Sequence, residues 1–238
     1  MIGIRAIGSY VPSNKINNIE QAHQLGESDD FIPTKIGALY LPCIPVGMET
    51  SDMAVLAVKD LIENHGLELD VIDAVVVVTQ NGDGEGLPHT SAIVQDKLGL
   101  KGKVAAFDIS LGCSGYVYGL SIVRGMMEQV GLKNGLLITA DPYSKVIDRK
   151  DRITTLLFGD AASATWLTED SSWKFGKPML ETDGSGACNL VVDNKTLSMN
   201  GRQVFNFASK KVPKQIREYL EGSNLQPIDI DFYCLHQG

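Results

Sequence analysis

The residue best suited to covalent chemistry is Cys113, in the run DISLGCSGYVYGL (residues 108–120). Upstream, Val104, Ala105, Ala106, Phe107 and Ile109 read as a short buried strand; downstream, Tyr116 to Val130 carries Val117, Leu120, Val123 and Met127 at helical spacing. Cys113 therefore falls where a strand turns into a helix, between Gly112 and Gly115. A helix start presents unpaired N–H groups and the positive end of the macrodipole. That setting is expected to lower the thiol pKa, and the same amides suit the oxyanion formed when sulfur attacks a carbonyl. Two readings of the residue stand side by side: an activated nucleophile, and a small buried core cysteine.

The elements around it read as alternating helices and strands. SDMAVLAVKDLIEN (51–64) has the pattern of a helix, with Ser51 as its candidate N-cap and Gly66 just past its end. VIDAVVVVT (71–79) is a near-continuous β-branched run, the mark of a parallel strand buried on both faces. A helix follows around 90–98, closed by Gly99, and LLITA (136–140) forms a further strand. The order predicts α/β organisation with a largely parallel sheet.

An offset of 158 residues brings part of the sequence back onto itself without a gap: Asp60 meets Glu218, Leu67 meets Leu225, Ile72 meets Ile230 and Val77 meets Leu235. His236 then falls on Val78, at the end of a central strand, where open α/β sheets place their sites. An imidazole there suits proton and hydrogen-bond chemistry near neutral pH, although a lone His at a strand end also serves as a structural residue. A first copy ending near Thr168 divides the chain into 1–168 and 169–238, and the second copy would then run to about residue 326, so it is expected to be incomplete.

Composition narrows the function. Hydrophobic residues make up 44% and charged residues 21%, an ordinary globular balance. A net charge of −8 disfavours nucleic acid as a partner. No apolar run approaches the roughly 18 residues of a membrane span, and MIGIRAIGSYVP reads as strand and turn rather than a secretory signal. The four cysteines, Cys43, Cys113, Cys188 and Cys234, contain no C-x-x-C pair, which points to a reducing cytoplasm and away from a disulfide framework or a zinc site.

Four segments in order resemble the β-ketoacyl-acyl-carrier-protein synthase III family of the thiolase superfamily: SDDFIPTKIG (28–37), DISLGCSGY (108–116), DRITTLLFGDAASA (151–164) and LHQG (235–238). The resemblance implies an α/β, thiolase-like five-layer fold of two duplicated βαβαβαββ halves, the second incomplete. It makes Cys113 the acceptor of an acyl group from a thioester and His236 the residue assisting decarboxylation of a malonyl thioester, whose carbanion attacks the acyl-enzyme. The family's partner Asn and Gly-rich segment would lie beyond Gly238. Arg152 matches a family Arg at the nucleotide end of coenzyme A, whereas Phe31 and Lys35 stand where many members have Trp and Arg. Phe still stacks on adenine; Lys lacks the planar fork of Arg. Leu87 matches a residue reaching across a dimer into the partner's acyl pocket, and Phe158 belongs to the Phe-Gly-Asp segment read as substrate pocket.

The resemblance thus implies a condensing acyltransferase with coenzyme A thioesters as substrate, no permanently bound cofactor, an acyl-carrier protein as partner and a homodimeric assembly. A Cys–His thioester hydrolase and a non-catalytic fragment or partner subunit are the alternatives. NGDGEGLPH (81–89) has G-x-G-x-G spacing, and Asp83 and Glu85 would repel phosphate, so it reads as an entrance loop rather than a nucleotide loop. Cys234 and His236 share a strand face but lack a third metal ligand. Lys210, Lys214 and Arg217 fall on one helical face, a solvated face or a docking face for an acidic carrier protein.

Overall fold

In the computed structural model, which describes residues 1–84 and 86–236, the chain separates into two units. One comprises Met1–Lys145 with Leu156–Gly176, the other Val146–Thr155 with Lys177–Gly238. The first unit contains strands β1 (Gly3–Tyr10), β2 (Lys15–Asn17), β3 (Tyr40–Pro42), β4 (Ala74–Val78), β5 (Ala105–Ile109), β6 (Asn134–Asp141) and β7 (Ala161–Thr168). Its helices are α1 (Asn18–Gln24), α2 (Thr50–His65), α3 (Thr90–Lys97) and α4 (Gly115–Val130).

Five strands form one sheet in the order β1-β7-β6-β4-β5, while β2 and β3 pair separately. β4 runs parallel to both β5 and β6, as the β-branched run predicts; β7 runs antiparallel to β6 and β1, so the sheet is mixed. Every residue of β4 is buried. Its side chains alternate between two cores: Val75 and Val77 pack with Met53, Ala57, Val58 and Leu61 of α2, and Val76 and Val78 with Val123 and Met127 of α4. Full burial of side chains of this size stabilises by about 1.5–3 kcal/mol each, so this double packing anchors the middle of the sheet.

Helix α2 begins at Thr50, and the chain leaves extended conformation at Glu49 rather than at Ser51. The Glu49 N–H donates to Asp52 Oδ2 at 2.9 Å. Ser51 is not the cap: it sits in the first turn, where its N–H donates to Asp83 Oδ1 at 2.8 Å and its hydroxyl to Asp83 Oδ2 at 2.5 Å. Gly66 closes the helix with a left-handed φ of 66°.

The second unit carries β8 (Leu190–Asp193), β9 (Thr196–Met199) and α5 (Gly201–Gly222). β8 and β9 form an antiparallel hairpin whose connecting residues Asn194 and Lys195 both have positive φ. Asn200 caps α5 by accepting the Gln203 N–H at 3.2 Å. Lys210, Lys214 and Arg217 are all exposed on that helix.

The start of α4 lies close against β4, and a Cβ on Gly115 would come 2.4 Å from Val78 Cγ1. Gly115→Ala is therefore expected to destabilise the protein by roughly 1–3 kcal/mol. Urea unfolding of the variant beside the parent chain measures this.

Candidate active site

Cys113 precedes the N-cap Ser114 of α4, in a turn closed by the Gly115 N–H donating to Gly112 O at 2.8 Å. The residue is exposed, which excludes the core-cysteine reading. Its thiol pKa is raised, not lowered as the sequence position suggests: partial burial of the sulfur is the largest cause, its own N–H pulls the other way, and the negative charge of Asp141 adds to the rise. The helix proper starts two residues later, so the sulfur sits outside the first turn, where the macrodipole acts most strongly.

Asp141 ends β6 and holds the segment leaving β4. Its Oδ1 accepts from Thr79 Oγ1 at 3.0 Å, the Gln80 N–H at 2.9 Å, and the Asn81 N–H and Nδ2 at 3.0 and 3.1 Å. Burial pushes its carboxyl up, partly offset by these donors. Two residues on, Tyr143 stacks on Phe158 with ring centroids 4.7 Å apart and planes at 23°. Burial first, then the charges of Asp141 and Cys113, push the Tyr143 phenol up to about 12. The phenol therefore keeps its proton near neutral pH. A Cβ at Gly112 would lie 2.6 Å from Gln80 Oε1 and 3.8 Å from the Tyr143 hydroxyl, so a larger residue there would require the Gln80 side chain to move.

Three further carboxylates fix the surrounding loops. Asp108, at the end of β5, accepts the Thr90 and Ser91 N–H groups at 2.7 and 2.8 Å and so caps α3. Asp83 accepts from Ser51, which anchors the loop leaving β4 to the first turn of α2. Asp160 is completely buried and accepts from the Ile44 N–H at 2.8 Å, the Ser144 N–H at 2.9 Å and the Ser144 hydroxyl at 2.5 Å.

Phe158 is thus brought into the neighbourhood of Cys113 through Tyr143. Phe31 and Lys35 lie on the turn around Ile32–Ile36; Phe31 is half-buried beside Ala22, Ile32 and Leu156, and Lys35 is exposed. Leu87 is 88% exposed. Arg152 and His236 belong to the second unit and both are exposed. The strand expected to end at His236 is absent: the Leu235 N–H bonds locally to Tyr233 O at 3.2 Å, whereas a strand requires a ladder with a neighbour. Gln237 and Gly238 of the LHQG segment, and Glu85, lie outside the described residues. Gln80, Asp141 and Tyr143 escaped the sequence reading, although their positions at the ends of β4 and β6 carry the available signal.

A mixed α/β sheet with its thiol at the turn between β5 and α4 defines a condensing enzyme of the thiolase-like fold. A family model for 3-oxoacyl-[acyl-carrier-protein] synthase III matches residues 107–184. The β-ketoacyl-[acyl-carrier-protein] synthase III of Lactococcus lactis subsp. cremoris is 34% identical, over 96% of this chain and 74% of its own length. That of Clostridium perfringens is 36% identical, over 100% and 76%. The crystal structure of the Thermus thermophilus synthase III superposes with a TM-score of 0.84 at 34% identity, covering 96% of this chain and 74% of that one. The chain belongs to the 3-oxoacyl-[acyl-carrier-protein] synthase III family, and it is a condensing acyltransferase of the type that initiates fatty-acid synthesis.

Because the thiolate is the reactive form, the rate of Cys113 alkylation by iodoacetamide is expected to keep rising with pH beyond the ordinary thiol range. Asp141→Asn removes a negative neighbour while keeping the Oδ1 acceptor, and should move the curve to lower pH. Peptide-resolved alkylation rates across a pH series check both outcomes.

Proposed function

We propose that Cys113 takes the acyl group from an acyl-coenzyme A and that the acyl-enzyme then condenses with a malonyl group on an acyl-carrier protein. The observation that carries this reading is the exposed thiol at the β5–α4 turn of a synthase III chain. In the first step the sulfur attacks the thioester carbonyl. The bond from that carbon to the carrier sulfur breaks, and the carrier thiol departs with the proton lost by Cys113. In the second, the malonyl thioester releases carbon dioxide, and its carbanion attacks the acyl-Cys113 carbonyl. A C–C bond forms and the Cys113 sulfur leaves. His236 donates a hydrogen bond to the malonyl thioester oxygen as negative charge develops there. The family motif supports that role for His236.

Phe31, Lys35 and Arg152 form the binding group for coenzyme A in this reading, with Leu87 and Phe158 lining the acyl pocket. No cofactor is permanently bound. The halves 1–168 and 169–238 are the duplicated parts of the fold. All four cysteines are thiols, which supports a reducing cytoplasm as the working compartment. No described helix is long and apolar enough to cross a membrane.

The chain acts as a homodimer paired through β5. That strand is the last in the sheet order, and its residues Ala105, Ala106 and Phe107 are half-buried although apolar. An open apolar edge favours pairing with a second copy. Light scattering at micromolar concentration is expected to give a dimer mass; a monomer would refute the pairing.

Incubation with an acyl-coenzyme A, followed by peptide mass spectrometry, is expected to place one acyl group on Cys113. Label on Cys43, Cys188 or Cys234 with Cys113 unmodified would overturn the mechanism. Cys113→Ser should abolish acylation and lower turnover by something on the order of 10⁴–10⁶-fold. With malonyl-carrier protein added, a ketoacyl product supports condensation, whereas free acid alone would mark the hydrolase.

A further inference from the structure

We propose, resting on the reading of Cys113 as acyl acceptor, that Tyr143 sets the upper length of the acyl chain this enzyme loads. With Phe158 it forms a fixed aromatic wall beside the nucleophile.

An acyl chain on the Cys113 sulfur gains by leaving water for apolar surface, and each methylene buried adds to the gain. Near the sulfur, Gln80 and Asp141 offer polar groups, and the apolar surface comes from the rings of Tyr143 and Phe158. Those rings are stacked on one another, so one face of each is taken up by its neighbour. The outer face and the edges of the pair remain, an apolar surface one ring deep that suits a short chain.

Proximity to the nucleophile rests on two observations. The Tyr143 hydroxyl stands 3.8 Å from where a Cβ on Gly112 would be, directly beside the residue preceding Cys113. The charge of a Cys113 thiolate is also felt at the phenol.

The wall is rigid because the same buried carboxylate pins both ring-bearing segments. Asp160 accepts the N–H and hydroxyl of Ser144, the residue after Tyr143. Phe158 lies two residues before Asp160, whose own N–H donates to Pro42 O at 2.9 Å. On the other side of Tyr143, Asp141 is paired with Ala161 in the β6–β7 ladder. A side chain held from both directions acts as a stop rather than a gate.

The test compares rates of Cys113 acylation by acetyl-, butyryl-, hexanoyl- and octanoyl-coenzyme A in the intact protein, followed by mass spectrometry. The parent should load octanoyl at least about tenfold more slowly than butyryl, a size discrimination ordinary for a closed apolar wall. Tyr143→Ala should raise the octanoyl-to-acetyl ratio about tenfold, while Tyr143→Phe, which keeps the ring, should hold it within about threefold. Tyr143→Trp should shift the cut-off the other way, slowing butyryl relative to acetyl, and it serves if the alanine variant fails to fold. A parent that loads octanoyl as fast as acetyl, or ratios unchanged in both size variants, would overturn the proposal. Absence of acyl label on Cys113 with every thioester would overturn the acyl-enzyme reading itself, and this proposal with it, by a pattern distinct from an unchanged ratio.

Discussion

A carboxylate with no exposed surface is tolerable only if donors surround it, and Asp160 shows how much structure that demand organises. Its two oxygens take the N–H of Ile44, the N–H of Ser144 and the Ser144 hydroxyl, joining segments distant in sequence. Removing one partner from such a set leaves buried groups unsatisfied, at about 1–3 kcal/mol for each. The device recurs. Asp141 gathers residues 79–81, Asp83 holds the first turn of α2, and Asp108 caps α3. Asp108 and Asp141 stand at the carboxyl ends of β5 and β6, and Asp83 in the loop after β4, so irregular backbone is fixed on the side of the sheet where Cys113 emerges.

The sheet supplies what the carboxylates cannot. β4 is buried on both faces and paired in parallel on both edges, so its neighbours β5 and β6 end at defined heights beside it. The register sets Val77 against Asp108 and Val78 against Thr139, two residues before Asp141. A thiol placed on the turn after β5 is thereby carried to the same level as the groups leaving β4 and β6. The glycines flanking it answer close approach: Gly115 lets α4 start against Val78, and Gly112 leaves room for Gln80.

Much of this was legible in sequence where the signal is local. The β-branched run gave β4, the apolar spacing after Cys113 gave α4, and Gly66 and Gly99 marked helix ends. Features that depend on distant partners were not. Nothing local says that Asp83 reaches Ser51, which displaces Ser51 from the cap, or that Tyr143 meets Phe158. Residues 230–236 illustrate the same limit from the other side: their apolar pattern matches that of β4, but a strand also needs a ladder, and the Leu235 N–H closes onto Tyr233 O within two residues. The thiol pKa failed for a further reason. Helix position and sequence spacing reveal the dipole, whereas the opposing burial and the Asp141 charge come from the packed structure.

That reversal bears on how the nucleophile works. A thiol of raised pKa is mostly protonated near neutrality, yet the thiolate it yields is the stronger nucleophile. Basicity gained recovers only part of the population lost, since nucleophilicity rises with roughly half the change in pKa. A resting Cys113 is therefore slow toward adventitious electrophiles and oxidants near neutral pH. A thioester differs: its attack releases a carrier thiolate that takes up a proton as the C–S bond breaks. The negative charge of Asp141 opposes a standing thiolate, and in acyl transfer the charge on sulfur is discharged as its bond to the acyl carbon forms.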